Sequence, residues 1–123
     1  MKIEVSIGEI VDKLSILGIK KRYIEDVSKL ENVLKEYEYL YEIVFDQLGI
    51  SREDYNVLSH INQLLWQIED DIRDKERAQE FDTQFIELAR AVYITNDKRA
   101  QIKKEINTKY GSDFVEEKSY ANY

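Results

Sequence analysis

The sequence predicts an all-α fold: a compact antiparallel bundle of four helices with a long hairpin formed by the third and fourth helices. Three observations lead to this prediction. The chain of 123 residues has four glycines and no proline, so few residues in it break helices. Capping patterns with serine or aspartate recur along the chain. Between them the apolar residues alternate at spacings of three and four, which is typical of helices that pack along a seam.

The first helix is predicted to begin at Ser6. Its hydroxyl can accept a hydrogen bond from an amide of the first turn, and Glu9 suits the positive end of the helix. Two apolar faces follow, so the helix is either central or covered on one side by another subunit. One face consists of Ile7, Ile10, Leu14 and Leu17, and the other of Val11, Ile16 and Ile19.

The second helix is predicted to begin between Asp26 and Ser28 and to end before Gly49. Gly49 fits a left-handed residue just past a helix end, because glycine adopts positive φ without steric cost. The apolar seam of this helix consists of Leu30, Val33, Tyr37, Leu40 and Val44.

The third and fourth helices are predicted to begin at Ser51 and Asp82, and Gly111 fits the end of the fourth. Each would have close to 30 residues, or about 45 Å, and a short turn at Phe81-Asp82 would join them into an antiparallel hairpin from Ser51 to Tyr110. The apolar stripe of the fourth helix breaks in its middle. The third seam is Leu58, Ile61, Leu65, Ile68 and Ile72, and the fourth reads Phe85, Leu88, Val92, then Thr95 and Arg99, then Ile102 and Ile106.

Length and composition favour one helical domain over residues 1–123, with a short extended start at 1–5 and a C-terminal tail at 111–123. The chain has no cysteine and one histidine, so we expect no metal site and no cofactor. The net charge of −7 disfavours nucleic acid and anionic membrane as partners. No stretch approaches the roughly 20 apolar residues that span a bilayer, and no signal peptide is recognisable. We therefore expect a cytoplasmic protein.

Polar residues interrupt the helices where a plain bundle would be apolar. They favour one of two interpretations. In the first, cations and an aromatic ring inside the bundle bind a carboxylate or phosphate ligand. In the second, the same residues form a structural ion-pair network that fixes helix register, since Glu69 and Arg73 have ideal i,i+4 spacing. The candidate residues are Asp12, Lys13, Trp66, Glu69, Arg73, Asn96, Arg99 and Lys103.

A metal site in the bundle is a further alternative. Glu9 and Asp12, and likewise Asp71 and Asp74, have the spacing of carboxylate pairs that bind Mg²⁺ or Mn²⁺ in helical bundles. This spacing is common by chance in a chain with 25 acidic residues. His60 lies at the edge of a seam, where a single histidine is typically a packing residue.

Five segments of the chain resemble a family known as a domain of unknown function, found as small stand-alone proteins in bacteria and their phages. They span nearly the whole chain and contain most of the misplaced charges and the tail. The resemblance implies a role for those residues and an occurrence near surface-glycan genes or in phage genomes, and it implies no catalytic assignment. The segments are Lys2–Leu17, Leu65–Glu76, Phe85–Tyr93, Asn96–Ala100 and Val115–Tyr120.

These observations together predict a non-enzymatic interaction or scaffold module, a homodimer with a possible further protein partner, accessory to a glycan pathway or a phage programme. The alternative is a binder of a small anionic metabolite or nucleotide, or an enzyme acting on one, with its polar site inside the bundle. The tail is a candidate partner-binding segment, with Glu116, Glu117, Lys118 and Tyr120 as its contact residues.

Overall fold

The first helix lies at the centre of the fold. In the computed structural model, which describes residues 1–122, α1 (Ile7–Tyr23) contacts α2 (Val27–Tyr41), α3 (Arg52–Ala78) and α4 (Thr83–Tyr110). Helices of the same chain therefore cover both of its apolar faces. The predicted all-α bundle is confirmed: the structure is 76% helical, and the described residues form no strand.

Each helix begins at the kind of cap that the sequence predicts. Ser6, Asp26, Ser51 and Asp82 each accept a hydrogen bond from the backbone amide three residues further along the chain. The second helix is capped by Asp26, the first residue of the interval in which it is predicted to begin. Each cap satisfies an amide that has no partner inside its own helix.

The observed helix ends match the predicted ones at the two glycines and differ from the prediction elsewhere. Gly49 and Gly111 have φ of 64° and 68°, as predicted. Gln79, with φ of 55°, ends α3 in the same left-handed conformation, and its side chain donates to the Glu76 carbonyl at 2.8 Å. A π-helical segment, Glu42–Gln47, continues α2, and the three-four spacing does not distinguish this wider turn from an α-helical one.

The hydrophobic core lies where α1, α2 and the open end of the hairpin meet. Its most buried members come from all four helices and the loop before α3. No helix within residues 1–122 is long and apolar enough to cross a membrane. The core consists of Val11, Leu14, Leu17, Val33, Leu40, Val44, Ile50, Leu58 and Ile106.

The α3–α4 hairpin has two distinct parts, which we name the base and the arm. The base comprises residues 52–66 and 95–110, and α1 packs against it through buried Leu58 and Ile106. The arm comprises residues 67–94 and the turn within it, and none of these residues is buried. Its seam residues, such as Ile68 and Leu88, are half-buried, because in the arm only two helices pack together.

Candidate functional site

A buried carboxylate, Asp12, is the centre of the polar residues inside the bundle. Asp12 lies on α1 between Val11 and Leu14, and only 1% of its surface is exposed. Because α1 lies at the centre of the fold and contacts both α3 and α4, the Asp12 side chain reaches the base of the hairpin. A carboxylate so buried is stable only when cations and hydrogen-bond donors surround it.

Three groups from the hairpin supply those partners. Arg99 of α4 donates from Nε to Asp12 Oδ1 at 2.9 Å and from its terminal nitrogen to Asp12 Oδ2. Asn62 of α3 donates from Nδ2 to Oδ1 at 2.8 Å, and Lys103 Nζ lies 3.9 Å from Oδ2. The bidentate contact from arginine combines charge with fixed geometry. Asp12 thus ties α1 to both helices of the hairpin.

Lys103 extends this cluster towards the chain end. Its ammonium donates to Glu9 at 2.7 Å and to Glu116 at 3.1 Å. Burial by itself would lower the pKa of Lys103, but the hydrogen bonds that its ammonium donates to Glu9 and Glu116, together with the charge of Asp12, raise this pKa above its ordinary value. Lys103 therefore stays charged although it is almost entirely buried.

The first turn of α1 is bound directly to the end of α4. The Gly8 amide donates to Asn107 Oδ1 at 2.6 Å, and the Ile7 amide donates to Ser112 Oγ at 3.0 Å. The helices approach so closely that a Cβ on Gly8 would lie 2.6 Å from the Lys103 carbonyl oxygen. Only glycine fits this contact without displacing backbone.

The structure brings some of the sequence-predicted residues together. Asp12, Arg99, Lys103 and Glu116 lie in one cluster, which we name the Asp12 network together with Glu9, Asn62 and Ser15. Asn96 lies at its edge, where its Oδ1 is 3.5 Å from the Arg99 guanidinium. Ser15 takes part through Asn62, which donates to its hydroxyl at 2.6 Å.

The other predicted residues lie apart from the Asp12 network. Lys13 forms an exposed ion pair with Glu36 at 3.3 Å. The Trp66 ring stacks on Tyr23, with centroids 5.5 Å apart. Glu69 and Arg73 pair with each other on the arm at 3.0 Å, where their side chains are 40% and 60% exposed. A hollow of about 290 Å³ is lined by Trp66, Glu69, Asp70 and Arg73.

Four residues that the structure places at these contacts were not among the sequence-predicted candidates, namely Ser15, Asn62, Asn107 and Ser112. A signal existed for three of them. Ser15, Asn62 and Asn107 each follow a buried residue of their own helix by four positions, which places each on the same helix face as that residue. Ser112 lies beyond the helix, where no periodicity applies.

The tail folds back along α4. Glu116 contacts Lys103 and also Lys118, at 3.2 Å, while Glu117 pairs with Lys104 at 3.2 Å. The hydrogen bonds from Lys103 and Lys118 lower the pKa of Glu116 below its ordinary value. A hollow of about 510 Å³ lies between this part of the tail and α4.

Tyr120, one of the predicted contact residues of the tail, is 75% exposed. It lines a smaller hollow of about 380 Å³ with Tyr93 and Asn96 of α4. Tyr123, the last residue of the predicted tail, lies outside the described residues.

Charge is balanced within the Asp12 network and its immediate neighbour. Three carboxylates, from Glu9, Asp12 and Glu116, contact three cations, from Arg99, Lys103 and Lys118. The hydrogen bond to Asp12 raises the pKa of Arg99 above its ordinary value. With Lys118 counted, the three negative and three positive charges cancel, and within residues 1–122 no buried side-chain nitrogen or oxygen lacks a hydrogen-bond partner.

The acid pairs that resemble metal ligands have other partners. Glu9 and Asp12 bind the cations of α4, Asp71 accepts from Gln67 at 2.9 Å, and Asp74 pairs with Arg77. In the part of the chain that the structure describes, no three acid or histidine side chains are grouped to hold a metal ion.

Comparison with known proteins gives one match. The chain belongs to a family of unknown function, DUF6165, which it matches over residues 1–123. This confirms the predicted resemblance to a domain of unknown function. No curated protein and no solved structure matches the chain significantly.

Proposed function

We propose that this member of the family is a non-enzymatic interaction or scaffold module. The Asp12 network fixes how α1 holds the hairpin, and the hairpin presents a surface to a partner. The observation that carries this proposal is that Arg99 and Lys103 are already neutralised by carboxylates of the chain itself. A setting in surface-glycan synthesis or in a phage programme belongs to the proposal as what the family resemblance implies.

The alternative function, binding of an anionic metabolite or nucleotide, requires a cation that can meet the ligand. Sites of this kind are usually preformed pockets with polar groups that converge on open space. In the Asp12 network, Arg99 already makes its bidentate contact with Asp12, and Lys103 already contacts Glu9 and Glu116. An anion would first have to displace one of these carboxylates, so the geometry favours a structural network.

The test compares two arginines that each pair with a carboxylate. Arg99→Ala leaves Asp12 buried with one of its two cations gone, so we expect the free energy of unfolding to fall by about 3–5 kcal/mol. Arg73→Ala is the matched control, because Arg73 is 60% exposed and pairs only with Glu69. We expect its loss to be within about 0.5 kcal/mol. Urea denaturation measures both.

An unchanged or raised stability of Arg99→Ala would contradict the proposal, because functional sites often carry strain that a substitution relieves. Native mass spectrometry with phosphate and pyrophosphate gives an independent readout. Retention of either anion by the wild type, abolished in Lys103→Met, would support the ligand-binding function instead. If Arg99→Ala does not fold, Arg99→Lys keeps the charge but loses the bidentate geometry, and we expect an intermediate stability.

A further inference from the structure

We infer that an open groove on the arm, between α3 and α4, is the docking site for a basic amphipathic helix of a protein partner. This helix would lay apolar side chains into the groove and place lysine or arginine beside the carboxylates along its two walls. The inference rests on the proposed function and names the chemistry of its partner.

Two rows of side chains form the walls of this groove, which we name the arm groove and which has a volume of about 740 Å³. Within each row the residues are three, four or seven positions apart, so each row lies along one face of its helix for about two turns, or about 10 Å. The α3 wall consists of Asp71, Asp74, Lys75 and Ala78, the α4 wall consists of Gln84, Glu87, Leu88 and Ala91, and Glu80 lies at the turn.

No helix of the described chain covers the apolar part of the arm groove. Asp71 follows Asn62 by nine residues, or about two and a half turns, so the groove lies on the hairpin face opposite α1. Leu88 and Ala91 are half-buried in the groove, and Ala78 is exposed. A third helix laid along the groove would cover all three, in the way that amphipathic helices bind apolar grooves of other proteins.

The charge of the arm indicates a cationic occupant. Residues 67–94 include eight acidic and four basic residues, so less than a quarter of the chain carries −4 of its net charge of −7. Among the residues that line the arm groove, the single cation is Lys75. Its ammonium already pairs with Glu80 at 3.1 Å and with Asp82 at 2.9 Å, so it does not offset the remaining carboxylates.

Each wall of the groove has a carboxylate that no cation of the chain neutralises. Within residues 1–122, Asp71 on α3 has the neutral Gln67 as its partner, at 2.9 Å, and Glu87 on α4 forms no ion pair. A helix in the groove would therefore meet a negative charge on both sides of an apolar strip. A stripe of leucine or isoleucine with lysine or arginine on both flanks is complementary to that arrangement.

Two other occupants do not match the arm groove. A second copy of the chain would bring the same four carboxylates against this wall, and like charges repel each other. A metal ion requires ligands that converge on one point, and within residues 1–122 no three acid or histidine side chains are grouped in that way.

Fluorescence anisotropy with a labelled synthetic helix tests the inference. The probe is a peptide of about 18 residues, long enough to form a helix, with a stripe of leucines flanked by lysines. We expect it to bind the wild type. A peptide with alanines in place of the leucines keeps the charge and the helix propensity but buries less apolar surface, so we expect its dissociation constant to be about tenfold higher or more.

Two variants of α4 show whether the peptide binds in the groove. Glu87→Lys replaces a carboxylate of the groove with a cation, so we expect the dissociation constant to rise about tenfold or more. Glu105→Lys is the matched control, because Glu105 is also exposed and the change in net charge is the same. It lies about 27 Å further along α4, beyond the screening length of physiological salt, so we expect a change within about twofold.

Three results would overturn the inference: no binding of the leucine peptide, equal affinity for the leucine and alanine peptides, or equal weakening by the two lysine variants. Circular dichroism checks that the variants fold, and Asp71→Asn serves as the groove variant if Glu87→Lys does not fold. The stability comparison of Arg99 and Arg73 involves no peptide. If the peptide does not bind while Arg99→Ala is strongly destabilised, the arm groove is refuted as a docking site and the proposed function stands.

Discussion

The base and the arm of the hairpin carry the same kinds of charged residues on the same two helices, but the surroundings differ. At the base, the side chain of Arg99 is 26% exposed and meets Asp12 of another helix. On the arm, Arg73 is 60% exposed and meets Glu69 of its own helix. An ion pair in water contributes little to stability, while breaking a buried one leaves an uncompensated charge. The comparison teaches that burial and a partner on a third helix, rather than charge itself, identify the polar residues that hold this fold together.

The strongest test of this comparison replaces one aspartate in each region. Asp12→Ala would leave Arg99, Asn62 and Lys103 facing a buried gap, so we expect the free energy of unfolding to fall by about 3–5 kcal/mol. Asp74→Ala removes the exposed partner of Arg77 on the arm, and its expected loss is within about 0.5 kcal/mol. Similar losses in urea denaturation would show that the two regions do not differ as described.

A smaller effect is expected where α1 and α4 touch. Gly8→Ala would bring a Cβ to 2.6 Å from the Lys103 carbonyl oxygen, so the helices must separate, at a cost of about 1–3 kcal/mol. Gly18→Ala is the control, because its Cβ would meet only side-chain atoms, the Tyr55 hydroxyl at 3.1 Å and a Tyr37 ring carbon at 3.7 Å. Removing a mid-helix glycine favours the helix by about 1 kcal/mol, so the melting temperature should fall for Gly8→Ala and hold or rise for Gly18→Ala. The reverse order would disprove close packing at Gly8.

The smallest expected effect concerns the tail and depends on pH. Because its pKa is lowered from 4.5 in the folded protein, Glu116 stabilises the tail contact fully above that value, and the contribution is lost as the pH falls through the lowered pKa. The side chain is 46% exposed, so solvent weakens the effect. The NMR chemical shifts of tail amides near Glu116 should therefore titrate with a midpoint below the ordinary pKa of 4.5. The same pH dependence in Glu116→Gln would rule out this carboxylate as its source.

The sequence predicts the helices well because their signals are local. A serine or aspartate caps a helix by accepting from amides of the next turn. Gly111 ends α4 because glycine itself adopts positive φ, which requires no partner elsewhere in the chain. The break in the α4 stripe also has a local signature, and Thr95 and Lys103 prove to be buried there. The end of α3 at Gln79 has no such signal, since glutamine rarely adopts positive φ.

The composition of the polar cluster is less predictable because it depends on where one helix crosses another. Periodicity gives the helix face on which Glu69 and Arg99 lie, but it does not show which part of the hairpin another helix will cover. Glu69 has the better local pairing pattern, and yet α1 crosses the base rather than the arm, so Arg99 meets Asp12. Function is harder still to predict, because a saturated network and a ligand site use the same residue types.

The contact between Gly8 and Asn107 joins residues that are 99 positions apart, and this has a consequence for synthesis on the ribosome. α1 emerges before α4, and the acceptors for two of its first amides, on Ser112 and Asn107, follow 105 and 99 residues later. Contacts this distant in sequence cannot form until the intervening chain has closed into a loop, and they slow folding. The first turn of the central helix therefore stays incompletely capped until α4 and Ser112 have been translated.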